Sequence, residues 1–147
     1  MAIKRNFGQQ VIDDYINNFV ETRVQRIILE LQRVGETCVG IARTNHKYKD
    51  QTGNLTSSIG YLIAVDGIVH TMSSFEAVSA TGGEGSTKGK DFIQEILRKY
   101  RKGIVFIMVA GMPYATYVNA MGLDVFDSAE INANKMIDEI TTKLKLR

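Results

Sequence analysis

The stretch 82–90, Gly-Gly-Glu-Gly-Ser-Thr-Lys-Gly-Lys, is where phosphate chemistry would first be sought. A phosphate-binding loop needs Gly, four residues, then Gly-Lys-Ser/Thr, so that backbone amides wrap the phosphates and a hydroxyl reaches magnesium. Counting back from Gly89-Lys90 puts Glu84 at the first glycine and Asp91 at the hydroxyl. Two carboxylates there would repel phosphate, and no β-rich run directly precedes them. Residues 79–90 carry Gly82, Gly83, Gly85 and Gly89 and no aliphatic side chain larger than Ala80. Such a segment has little to bury against an ordering entropy of about 1–2 kcal/mol per residue. It reads as a flexible glycine-rich loop.

The other reactive residue types are scattered. Cys38 falls in step with Leu31, Val34 and Ile41 on an apolar stripe, the setting of a buried hydrophobe rather than a nucleophile. His46 lies in a polar stretch and His70 beside a turn, neither with a second ligand at metal-binding spacing. Ser57-Ser58 lacks the glycines of a nucleophile elbow. Asp13-Asp14 suits the start of a helix and its dipole. No catalytic, cofactor-binding or metal-binding residue is assigned, and no enzyme is expected.

Arg98, Lys99, Arg101 and Lys102, with Lys88 and Lys90 nearby, form the one local charge excess. They fit a solvated helix end stabilised by its dipole. The alternative is a small nucleic-acid-binding module using this end, but no interleaved aromatics or nucleic-acid motif accompany it. The whole chain has 18 basic and 16 acidic side chains, a formal charge of only +2. Bulk charge therefore gives no reason to expect specific nucleic acid or a membrane surface as a partner. One cysteine excludes an intramolecular disulfide. No apolar run approaches the roughly 18–20 residues of a membrane span, and the N-terminus lacks a signal-peptide core, so a reducing cytosol is the expected setting.

With 147 residues, 44% of them hydrophobic, the chain fits a single domain, 1–147. From about residue 9 to Arg43 the apolar positions recur at steps of three and four, which predicts one long helix. About 35 residues would make a rod of about 50 Å, longer than the roughly 40 Å diameter of a compact domain this size. Either the helix bends at Gly35 or Gly40, or its first turns project with Phe7, Val11 and Ile12 exposed and find another chain.

Asn45–Gly53 reads as a loop and Asn54 as the cap of one helical turn. Tyr61–Val65 and Ile68–Met72, joined by Asp66-Gly67, predict a β-hairpin. A short helix follows, with Asp91 as N-cap and Phe92, Ile93, Ile96, Leu97 and Tyr100 as apolar positions. Ile104–Val109 is apolar throughout, as a central strand covered on both faces would be. Pro113 can open a turn sharing Tyr114, Tyr117, Val118 and Met121, and Leu123–Phe126 reads as an edge strand. A last helix starts at a box-like Asp127 and Glu130 and ends basic at Lys143, Lys145 and Arg147. The fold class is α+β: a long N-terminal helix and shorter helices on a small, mainly antiparallel sheet.

Two segments carry a resemblance. Thr52-Gly53-Asn54-Leu55-Thr56-Ser57-Ser58-Ile59 resembles the Thr-Gly-x-Leu-x-x-Ser-Ile signature of a bacteriophage tail-component family. Pro113-Tyr114-Ala115-Thr116-Tyr117-Val118-Asn119 is similar to that family's Tyr-Ala-x-Tyr-Val-Glu, and the likeness spans roughly 24–126. The chain departs from it in having no proline over 47–51, Asn119 for glutamate, and Met121-Gly122-Leu123 for an aromatic-Gly-Thr end. The resemblance implies a non-enzymatic virion protein at the head–tail junction of long-tailed phages, a tail terminator or completion (neck) protein. It implies a homo-oligomeric ring, a hexamer being one form, that joins the tail tube protein to the head–tail connector or stopper. The roles of Gly53 and Leu55, and of Tyr114 and Tyr117, read as structural: a turn, a core anchor, and rim or interface aromatics.

Overall fold

A computed structural model describes residues 8–145. Phe7 and Arg147, which the helical patterns above reach, lie outside the described residues. The first helix, α1, runs Gln9–Thr44 without a break. Its 36 residues make a rod of about 54 Å. Gly35 does not bend it: a Cβ there would collide with the Tyr61 ring, so this glycine lets a strand come close.

A single helical turn, α2 (Asn54–Ser57), leads into strand β1 (Ile59–Val65), two residues earlier than the sequence predicted. The hairpin to β2 (Ile68–Met72) turns at Asp66 and Gly67, both at positive φ (50° and 81°), as the Asp-Gly pair predicts. Next come α3 (Gly83–Leu97), β3 (Ile104–Ala110), α4 (Ala115–Ala120) and α5 (Asp127–Lys143). The sheet is antiparallel with order β2-β1-β3. The α+β class is as expected.

The pleat decides which layer each side chain joins. Tyr61 and Ile63 of β1, with Phe106 and Met108 of β3, face α1, meeting Ile28 and Leu31, and α5 at Ile137. Leu62 and Ala64, with Ile107 and Val109, face α3 at Ile93 and Leu97. The sheet is thus sandwiched between α1 with α5 on one face and α3 on the other. A second core gathers Val34, Cys38, Leu55, Ile59, Met112 and Val125 where both ends of the chain's middle return to α1.

Five expectations are corrected. The segment 79–90 is not one loop: α3 begins at Gly83, with Gly82 as its N-cap, and Asp91 sits inside the helix rather than capping it. The same helix ends at Leu97, short of Tyr100. The all-apolar β3 is an edge strand, and β1 is the central one; covering by helices on both faces makes β3 apolar, whatever its place in the sheet. Leu123–Phe126 forms no strand but an irregular turn pinned by Asn119, whose Oδ1 accepts the N–H groups of Val125 and Phe126, each at 3.0 Å. Finally, Asp127 does not cap α5 through its side chain. Asp124, at φ 54°, does that work by accepting the Ser128 N–H at 2.9 Å and its hydroxyl.

Candidate functional site

The two signature segments meet in space. Thr52 and Leu55 from the first, with Tyr114 and Val118 from the second, line a shallow cavity of about 240 Å³ with Tyr48 and Asp50. Gly53 takes φ 78°, which leaves room for no side chain beside Ser79, and Leu55 is buried in the core. The loop 45–53 is held by Asp50, whose Oδ2 accepts the Thr56 N–H at 2.8 Å, and by Tyr48, whose hydroxyl lies 3.0 Å from Thr56 Oγ1. The His46 ring stacks on Tyr48 with centroids 4.0 Å apart, so this histidine is half-buried packing and not a ligand pair. Burial pushes the Tyr48 hydroxyl above its ordinary range, and burial with nearby Asp50 does the same to Tyr114. Both phenols stay protonated hydrogen-bonding groups at neutral pH.

The paired serines are structural. Ser57 Oγ donates to Gly53 O and accepts the Val78 N–H at 2.9 Å; Ser58 Oγ donates to Leu55 O at 2.7 Å. Cys38 is fully buried, and desolvation raises its pKa, which suppresses the reactive thiolate. His70 is exposed on β2, where the register with β1 shifts. Among the described residues no group of three or more His, Cys, Asp or Glu could hold a metal ion.

The glycine-rich stretch closes around the first signature segment. Asn54 Oδ1 accepts the Gly85 N–H at 2.9 Å, so this residue, expected to cap its own helical turn, satisfies the first turn of α3 instead. Gly85 lies so close that a Cβ on it would overlap the Asn54 carbonyl. One turn later, a Cβ on Gly89 would fall 2.6 Å from both the Phe75 ring and Ser58 O, and Gly111 abuts Gly89 in turn. Ser86 donates its hydroxyl to the Phe75 carbonyl. Spacing glycines four apart gives a helix a smooth face that backbone can approach. The sequence signal for this was present in Gly85-x-x-x-Gly89, yet flexibility is the commoner reading of such a run.

Two of the surfaces left open among the described residues are large and apolar. One is the start of α1. The body of the domain reaches along it only to about Arg23, whose Nη2 donates to the Leu144 carbonyl at 2.7 Å. Before that point Val11, Tyr15, Ile16, Phe19 and Val20 are all exposed, Tyr15 at 74% and Phe19 at 56%. Of the two outcomes the length allowed, a bend or a projecting arm, this is the second, although Ile12, expected to be exposed with Val11, is half-buried.

The other is the outer edge of β3. Gly111 N–H to Ser58 O and Asp66 N–H to Gly103 O bracket the β1–β3 ladder and fix its phase. Counting inward by twos, the backbone groups of 104, 106, 108 and 110 point away from β1. Beside this edge run two adjoining cavities, about 390 and 320 Å³, that share Ile96 and Met108. Their outer wall is an apolar stripe at four-residue steps: Phe92, Ile96 and Tyr100. The basic residues Arg98, Lys99, Arg101 and Lys102 are exposed at its end, and no ion pair to them occurs among the described residues. Lys88 does not join them, being paired with Glu84 at 2.8 Å.

Comparisons with known proteins add no relative: no family model, no curated protein and no solved structure matches this chain. No helix among the described residues is long and apolar enough to cross a membrane.

Proposed function

We propose that this chain is a non-enzymatic virion component at the phage head–tail junction, a tail terminator or completion protein. It acts by assembling into a ring and docking to the tail tube and the connector. The observation that carries the reading is the apolar arm of α1 held away from its own domain, an arrangement suited to assembly and poor for a lone subunit. The two tail-protein-like segments, which pack on one another around the 240 Å³ cavity, support it as well. A closed ring needs a head-to-tail contact, hence two different surfaces on each subunit, and the arm and the β3 edge are two such surfaces.

The test is location. Genes for portal, capsid or tape-measure proteins beside this one, and a ring of this fold at the upper end of the tail by electron microscopy, are the expected results. Virions that lack the protein by mass spectrometry would overturn the reading. Sub-micromolar binding to duplex DNA at physiological salt, lost when Arg98, Lys99, Arg101 and Lys102 are replaced, would favour a nucleic-acid-binding module instead.

A further inference from the structure

The arm and the stripe on α3 share a geometry. Along the arm the large apolar residues come as adjacent pairs repeating every four: Val11-Ile12, Tyr15-Ile16 and Phe19-Val20. Phe92 and Ile96 on α3 are four apart as well, and Tyr100, just past the helix end at Leu97, continues the wall they form. Ridges formed by residues four apart on two helices can interdigitate, the commonest way for helices to pack in globular proteins. The three rows of the arm match in spacing the two helical side chains Phe92 and Ile96 and the Tyr100 beyond them.

Charge selects between partners. Residues 9–22 include Asp13, Asp14 and Glu21 and no basic residue. Two arms packed on each other would set like charges together. Residues 98–102 include four basic side chains and no acidic one. Asp91 and Glu95 sit at the other end of the stripe, so the positive charge is confined to one end and gives the contact a direction. Asp13 and Asp14 accept hydrogen bonds from Gln9 and Gln10, at 2.9 and 2.8 Å, and form no ion pair among the described residues.

Within one subunit the two surfaces cannot meet. α1 covers one face of the sheet and α3 the other, and the arm is a straight continuation of α1. A contact between them is therefore one between copies, and a head-to-tail one.

We infer that the α1 arm of one copy packs along the Phe92–Ile96–Tyr100 stripe of the next, its carboxylates Asp13 and Asp14 against the basic turn 98–102. This rests on the ring-assembly reading and names the surfaces that would build the ring. The partner is a second copy of this chain.

The experiment is sedimentation velocity on the full chain over a range of concentrations and salt. Wild type self-associates, more weakly as salt rises. Reversing the arm's charge (Asp13→Lys with Asp14→Lys) or the turn's (Arg98→Glu with Arg101→Glu) weakens association by about tenfold or more, and combining the two reversals restores it. Ile16→Ser on the arm and Phe92→Ser on the stripe each block assembly alone, yet the two proteins mixed form dimers and stop there. All substituted positions are on the surface, and circular dichroism checks that each variant is folded.

A wild type that is monomeric at every concentration overturns the inference, as do reversals that associate normally or fail to restore each other. Rings in virions built by variants that dock normally would refute this interface and leave the ring reading standing. Association that behaves as described, in a protein absent from virions, would do the opposite.

Discussion

Residues 9–22 and residues 82–89 differ in composition in one direction and in burial in the other. The arm carries six large apolar side chains from Val11 to Val20, and five of them are exposed. The stretch 82–89 carries none, yet Gly82, Gly85 and Gly89 are buried against Ser57, Asn54 and Phe75. Apolar content is usually the guide to what lies inside, because burial removes apolar area from water at about 25 cal/mol per Å². The glycines are inside for another reason: lacking Cβ, they let the backbone of α3 approach a neighbour's backbone and satisfy its amide at Asn54. The arm is outside because the helix outruns the domain. Burial in a subunit follows geometry first, and an apolar surface that geometry leaves out marks a contact still to be made.

The sharpest way to break this comparison is to give the glycines a side chain. Gly85→Val would drive a branched Cβ into the Asn54 carbonyl and remove the hydrogen bond made there. It is expected to destabilise the subunit by about 4 kcal/mol or more, enough to abolish folding in a marginal domain. Urea denaturation measures it. An unchanged midpoint would mean that α3 does not lie against Asn54 at all.

Asn54→Ala keeps the close approach but orphans the Gly85 N–H in a buried place. A cost of about 1–3 kcal/mol is expected by the same measurement. A loss below about half a kcal/mol would show that water or a neighbouring group replaces the amide.

Much of the fold was legible in the sequence because it rests on periodicity. The 3.6-residue pattern of α1, the Asp66-Gly67 turn and the β-rich runs on either side of it are local signals that tertiary structure did not override. Three features were not legible, each for a physical reason. Glycine spacing carries no sign of what will approach it, so Gly85 and Gly89 look the same in a loop and in a packed helix. An all-apolar run tells that β3 is covered on its faces and nothing of its free edge. The capping of α5 by Asp124 depends on a left-handed backbone at that residue, which asparagine-like side chains accept but do not announce. Of the two candidate surfaces, the arm was one of the two outcomes that length left open, the other being a bend at a glycine. Positions 92, 96 and 100 could not be told apart from the buried Ile93 and Leu97, because apolar residues on two sides of a helix resemble a single broad side.

Asp124 offers a smaller effect. Its hydrogen bonds from Ser128 hold the carboxyl below its ordinary pKa. Because the folded value is depressed, the stabilisation is complete above the unfolded value, near pH 4, and disappears as pH falls through the folded one. Asp124→Asn, which tolerates the same backbone, should cost less than about 1 kcal/mol at neutral pH, the group being partly solvated. It should also flatten the acid limb of the stability curve. An acid limb as steep as wild type would remove Asp124 from the capping role.

On the arm the expected effect on the subunit is nearly nil. Ile16→Ser with Phe19→Ser should leave the urea midpoint within about 0.5 kcal/mol of wild type, because neither side chain is held in the core. A loss of 2 kcal/mol or so would mean that the arm folds back onto its own domain.

Hydrogen–deuterium exchange, read by peptide in the free subunit and again in assembled particles, tests the contrast between the two regions most directly. Amides of 9–22 should exchange fast in the free subunit and become protected on assembly, while those of 83–97 are slow in both. Exchange at 83–90 as fast as in the arm, or an arm that stays unprotected in the particle, would contradict the contrast.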